Sequence, residues 1–195
     1  MKRLLFIVML SFAITGYAQK IKLVQGSLGP LKGETAINVE FTYDNLTVGK
    51  NKPENEYIEE KKKEYNNKEA GKGDTWERNW GEDRKARYEP KFRELFNEHS
   101  KLSTIDENAK YTMVYHTTRI EPGFNVGVAS RPAMTDAEIL IVETANRDNV
   151  IAKITLIGSP GSQAFGMDFD TGVRIAESYA KAGKSLGGFF KKNTK

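Results

Sequence analysis

Apolar and polar residues alternate with the two-residue period of a half-buried strand at several places along the chain. The alternation is cleanest over residues 150–158, where Val150, Ala152, Ile154 and Leu156 share one face and Ile151, Lys153, Thr155 and Ile157 the other. Residues 137–144 form a second β-branched run, and the polar link Asn146-Arg147-Asp148-Asn149 between the two predicts a β-hairpin. Residues 36–43 set Ile37, Val39, Phe41 and Tyr43 against Asn38, Glu40 and Thr42. Residues 110–120 put Tyr111, Met113, Tyr115 and Thr117 on one face and Val114, His116 and Ile120 on the other. Shorter strands are expected over residues 21–24 and 124–129, the second after a turn at Glu121-Pro122-Gly123.

Elsewhere the period becomes helical. Ile175, Tyr179, Ala182, Leu186 and Phe189 recur at four-three spacing, beside a strip of small residues formed by Ala176, Ala180, Gly183 and Gly187. Arg174, Glu177, Lys181 and Lys184 are left for water, and Asp170 is placed to cap the start. This helix is expected to cross the hairpin with its small strip against the sheet. Gly183, Gly187 and Gly188 each cost about 1 kcal/mol of helix propensity relative to alanine, so the end beyond Gly187 is expected to be the weakest.

Trp76, Trp80, Tyr88, Phe92 and Phe96 lie at multiples of four, and Asp74 and Glu77 have the spacing of a capping box. Gly81 and Pro90 interrupt that series, which predicts two helices or one kinked at Pro90. Residues 49–73 turn to lysine, glutamate and asparagine with little besides Tyr57, Ile58 and Tyr65 to bury. They read as a charged, partly helical insertion, either a solvated helix or a mobile segment.

The order is thus two strands, helices, four strands and a final helix. Alternation with one polar face suits a sheet covered on one side only. The expected fold is α+β, a two-layer sandwich with a mixed, mostly antiparallel sheet and helices packed on one face, in a single domain over residues 19–195.

At the start of the chain, Lys2 and Arg3 precede an apolar run over residues 4–14, and Gly16-Tyr17-Ala18 supplies small residues where a signal peptidase reads. Residues 1–18 are expected to be a signal peptide cleaved after Ala18; an uncleaved anchor is the alternative. The run falls short of the ~20 residues that span a bilayer, and nothing later is long and apolar enough, so no transmembrane segment is expected in the mature chain. The destination would be the periplasm or the exterior. There is no cysteine, which excludes disulfides, thiolate metal ligation, cysteine catalysis and a lipidated N-terminal cysteine. An exported domain without disulfides rests on its core, which about 175 residues can supply. Removing Lys2 and Arg3 from the 30 basic residues leaves 28 against 26 acidic ones. That near balance argues against nucleic acid as a partner.

Catalytic patterns are sparse. His99 and His116 have no metal-ligand spacing, and Ser159 within Gly158-Ser159-Pro160-Gly161 is not in a nucleophile elbow. Asp168 and Asp170 could pair for acid–base work or a hard cation, but helix capping is the simpler reading. The glycines of residues 158–166 lack the ending of a phosphate loop. No catalytic residue, metal ligand or cofactor site is therefore expected. Trp76, Trp80 and Tyr88 are the candidate ligand-binding residues, as a stacking platform for sugar rings; packing in the core is the competing role for such a stripe.

The glycine-rich link followed by residues 172–187, with Arg174, Glu177, Tyr179, Gly183 and Leu186, resembles the ending of small exported bacterial proteins of unknown function. Their domain is similar to envelope adaptor domains of the LpoB and TolB N-terminal type. The resemblance implies a non-enzymatic interaction or adaptor protein of the bacterial cell envelope, with a sheet packed on helices and no functional residues carried over. The expected partner is an envelope protein or a glycan. The alternative is a carbohydrate-binding or glycan-processing accessory protein using Trp76, Trp80 and Tyr88.

Overall fold

In the computed structural model, which describes residues 19–125, 128–163 and 171–194, the alternating stretches pair into one mixed sheet. In chain order the first strands are β1 (Lys20–Gly26), β2 (Asn38–Thr42), β3 (Thr47–Val48) and β4 (Lys52–Pro53). Three helices follow, α1 (Glu54–Lys68), α2 (Lys72–Asp83) and α3 (Glu89–Ser100). Then come β5 (Tyr111–Glu121), β6 (Phe124–Asn125), β7 (Ser130–Arg131), β8 (Met134–Glu143), β9 (Val150–Pro160) and the last helix, α4 (Thr171–Asn193).

The sheet runs β1-β9-β8-β5, with β2 and β3 following one another along the far side of β5 and β4 beside β3. β2 and β3 lie parallel to β5 and the remaining pairs are antiparallel. Parallel pairing of β2 with β5 needs a long crossover, and α1 to α3 supply it. The helices gather on one face, over Val39, Met113, Tyr115, Ile139, Ile141, Ile154 and Leu156, which are all buried. The other face carries the Lys153–Glu138 ion pair at 2.9 Å, a Thr42–His116 hydrogen bond at 2.9 Å and the half-exposed Ile157. This is the expected α+β sandwich with helices on one side.

Ile120 departs from the alternation. A bulge between Thr117 and Arg119 shifts the register, so Ile120 turns into the core instead of lying beside Val114 and His116. Asp136 fixes that place: its carboxylate accepts from Arg119 Nε and from the Gly158 amide, each at 2.7 Å. Of the stretch expected as a strand over residues 124–129, Phe124 and Asn125 do not extend the main sheet: as β6 they pair with β7 in a separate two-stranded ribbon, and residues 126 and 127 lie outside the described residues.

α4 docks differently from its sequence pattern. Its sheet-facing side is fastened by Thr117 Oγ1 to the Tyr179 hydroxyl at 2.7 Å, Thr135 Oγ1 to Ser178 Oγ at 2.8 Å, and Ser159 Oγ donating to Ser178 O at 2.7 Å. The small strip lies against α3, not the sheet. A Cβ on Gly183 would stand 2.3 Å from the Phe92 carbonyl oxygen, and one on Gly187 2.8 Å from that of Phe96. The helix also continues past Gly187, because Phe190 is fully buried and meets Phe96 edge-on at 5.2 Å; Phe189 is only partly buried. Arg174, expected in water, is buried near the start of α4, where its guanidinium donates to Pro122 O at 3.3 Å. The cap at Asp170, the Asp168–Asp170 pair and residues 1–18 lie outside the described residues.

Asp74 does not cap α2. Gly71, at φ +80°, starts the helix without a side-chain cap, and Asp74 instead engages Lys62 at 3.0 Å and Asn66 at 3.3 Å on α1. The two helices cross so closely that a Cβ on Gly73 would sit 2.1 Å from the Lys62 carbonyl oxygen. α1 has no fully buried residue, but Tyr57 and Ile58 pack at the core's margin.

Candidate functional site

The three aromatic residues singled out by the helical stripe do not meet at one surface. Trp76 and Trp80 stack at 5.5 Å, and Tyr57 of α1 approaches both, at 5.9 and 5.3 Å. Trp80 is 5% exposed, and its indole N–H donates to Glu54 Oε1 at 2.6 Å. Its faces and its polar edge are therefore taken by the protein. Tyr88 is 2% exposed and stacks on Tyr179 at 5.1 Å, inside the core between α3 and α4. Trp76 is the most open of the three, beside a cleft of about 280 Å³ that Trp80, Asn79, Asp83 and Arg87 also line.

A larger opening lies elsewhere. α2 and α3 form one continuous rod, joined by a π-helical turn over Arg84–Tyr88. Pro90 is the cause: it lacks an N–H and its ring crowds the carbonyl four residues back. The wider turn, in which the Glu89 amide reaches Arg84 O, accommodates it without a break. Between this rod and β2 a groove of about 800 Å³ remains. Phe41 and Tyr43 of β2 and its continuation form one wall, Gly81 and Ala86 the facing one, and Arg78 and Lys85 stand on the rim.

The walls are held from behind. The Phe41 ring meets Phe92 edge-on at 5.4 Å and Tyr115 at 5.5 Å, which leaves its remaining surface to the groove. The Arg93 guanidinium lies 5.2 Å from the Phe41 ring and donates to Val39 O at 2.6 Å and Thr104 O at 2.7 Å. Arg84 covers the Tyr43 ring at 4.3 Å and pairs with Glu54, the same carboxylate that holds Trp80. The Tyr43 hydroxyl donates to Glu89 Oε1 at 3.4 Å.

Burial pushes the Tyr43 phenol far above its ordinary range, so this hydroxyl stays neutral and acts as a donor. Burial also raises the Glu89 carboxyl, and the nearby Arg93 charge offsets part of that rise. The arrangement provides an aromatic surface, a charged rim and walls that need little ordering on binding. Such a groove can take an apolar side chain whose own backbone or polar groups reach the rim.

Alternation along residues 36–43 puts Phe41 and Tyr43 on the buried side of a strand and no further. Periodicity reports which face of a strand is apolar; it does not tell whether the strand lies at an edge. Pro90 within an aromatic series was the one available signal of an irregular helix. The other candidates are dispersed. His116 bonds Thr42 on the open face of the sheet, His99 belongs to α3, and Ser159 is buried and donates to Ser178 O. Among the described residues no three His, Cys, Asp or Glu side chains converge as metal ligands, and no helix is long and apolar enough to cross a membrane.

No family model matches the chain, and no curated protein matches it in sequence. Solved structures with a similar layout include the PelC dodecamer from Paraburkholderia phytofirmans, at 10% identity and a TM-score of 0.37, covering 84% of this chain and 97% of that one. Another is protein XCC0632 from Xanthomonas campestris, of family DUF330, at 10% identity and a TM-score of 0.40, covering 87% and 92%. Overlaps this loose transfer neither residues nor a role.

Proposed function

We propose that the protein is an exported, non-catalytic interaction protein of the bacterial cell envelope, and that it holds its partner in the groove between β2 and the α2–α3 rod. The groove carries the proposal. Its aromatic wall borders the opening, and the side chains that build that wall are already held in place, Phe41 by Phe92 and Arg93, Tyr43 by Glu89, and Arg84 by Glu54. Binding there orders few groups of the host, which favours association. Export rests on Lys2, Arg3, the apolar run and the small residues before Gln19. The envelope role is supported by export and by the resemblance of residues 172–187 to exported proteins with LpoB- and TolB-type adaptor domains.

A glycan is the second reading, favoured by the open side of Trp76 beside Asn79 in its cleft. Trp80 would add little surface there, being 5% exposed at the cleft's margin, and Tyr88 lies in the core away from it.

The experiment is purification from the envelope fraction of producing cells, comparing wild type with Ala86→Arg, which fills the groove from an exposed helical position. The mature mass should begin at Gln19, and a partner should accompany wild type and Lys153→Ala but not Ala86→Arg. A partner retained by Ala86→Arg would remove the groove from the account, and an unprocessed cytoplasmic chain would remove the envelope. Quenching of Trp76 fluorescence by solubilised envelope glycan would instead favour the second reading.

A further inference from the structure

The two outer edges of the sheet are finished differently. On β1, Lys20 and Lys22 are exposed and a bulge falls between Leu23 and Gln25. Lysines and a bulge are the ordinary means by which an edge strand is kept from pairing with another chain. β2 has neither. Its ladder to β5 is regular over five residue pairs, and its polar side chains are Asn38, Glu40 and Thr42.

The direction of its backbone groups follows from two contacts. The Ile37 amide donates to Ser103 O at 2.9 Å, and Val39 O accepts from Arg93 at 2.6 Å. Both lie away from β5, so the two-residue repeat turns the amide and carbonyl of Phe41 to the same outer edge. Ser103 already makes one parallel bridge there, to Ala36, before the chain departs. Arg93 then occupies the next carbonyl. Among the described residues, the Val39 amide and the amide and carbonyl of Phe41 have no partner along this edge. The groups of Phe41 run beside the groove, with the Phe41 side chain in its wall, while the Val39 amide lies one step further along the edge, where a second opening is lined by Val39, Arg93 and Thr104.

We infer that the occupant of the groove is an extended polypeptide segment of a partner protein, which adds as a strand to the outer edge of β2. This rests on the groove being the binding surface. Backbone hydrogen bonds to Val39 and Phe41 would supply attachment without regard to sequence, and alternate side chains of the segment would enter the groove between Phe41, Tyr43 and Ala86. The occupant is therefore recognised as an apolar residue on extended backbone, with Arg78, Lys85 and Glu82 on the rim selecting its flanking charges. Strand addition uses the same geometry that Ser103 uses one step earlier on the same edge.

The test uses peptides selected from a random displayed library on the folded chain and eluted with the wild type but not retained by Ala86→Arg. Amide exchange is then followed residue by residue. The Phe41 amide should exchange freely without peptide and slow by about tenfold or more with it, as a newly bonded strand amide does. Methylating the peptide backbone nitrogens one at a time should abolish binding at alternate residues only. Peptides that bind the groove while the Phe41 amide stays unprotected would overturn strand addition and leave the groove standing. Failure to select any peptide sensitive to Ala86→Arg would overturn strand addition too, and if soluble envelope glycan then bound wild type but not Ala86→Arg, the partner class would be a glycan.

Discussion

Replacing Gly183 with alanine adds one methyl group where α4 crosses α3. In a helix with room around it, the change should stabilise the fold by about 1 kcal/mol, because glycine loses more backbone freedom on folding than alanine does. At Gly183 the new carbon would stand 2.3 Å from the Phe92 carbonyl oxygen and 3.1 Å from the Phe92 carbonyl and α carbons. Those atoms are backbone of the facing helix, so relief requires moving α3 and α4 apart. Overpacking of this kind costs about 1–3 kcal/mol. Gly188 supplies the control: it lies in the same helix with nothing within 4 Å of the added carbon. The intrinsic gain is common to both variants, so their difference, about 1–3 kcal/mol, reports the helix crossing alone. Urea denaturation followed by far-ultraviolet circular dichroism would measure it, with unchanged slopes confirming that only stability moved. For a chain of this size the melting temperatures should differ by roughly 2–4 °C per kcal/mol. Gly188→Ala should be the more stable variant, and above wild type. If Gly183→Ala matched it, the strip of small residues would not face α3.

Two further expectations concern the α1–α2 crossing and Glu89 in the groove. Gly73→Ala would bring a carbon within 2.1 Å of Lys62 O and push α1 away from α2, loosening the tilted Tyr57–Trp80 contact; faster proteolysis within residues 69–72, with a changed near-ultraviolet spectrum, would show it, and an unchanged cleavage rate would count against the close crossing. Burial holds the Glu89 carboxyl above the ordinary glutamate range in the folded chain, so over that window the folded state keeps a proton that the unfolded state has released. Raising the pH through it weakens the fold, and the stability present below the ordinary range is lost. Glu89→Gln should flatten this part of the stability–pH profile, and an unaltered profile would mean that Glu89 is not the group responsible.

The sheet was legible because strands with one buried face advertise themselves by alternation, and the hairpin of β8 and β9 follows from two such runs around a polar turn. Ile120 was misplaced because a bulge leaves no mark in the pattern of apolar residues; its cause is the Asp136 carboxylate reaching Arg119 and Gly158 from another strand. The small strip of α4 was visible, but its partner was not. Alanine and glycine permit close approach to any backbone, and only the position of α3 decides which one. Trp76 and Trp80 were correctly found on one helical face, yet Tyr88, on the same stripe, points to Tyr179. The π-helical turn between Trp80 and Tyr88 changes the rotation per residue, so a stripe counted at a fixed period drifts off its face. The groove was beyond reach for a similar reason: it exists because β2 is an edge strand, and edges are set by the pairing of distant segments.

The most direct measurement places a photoreactive benzoyl-phenylalanine in the chain within living cells, once at Lys85 on the groove rim and once at Ile157 on the open face of the sheet. Both positions are exposed, so neither replacement disturbs the core. A discrete protein adduct is expected from position 85 in the envelope fraction, lost when Ala86→Arg is added, and none from position 157. Adducts from position 157 alone, or from position 85 irrespective of Ala86→Arg, would contradict it.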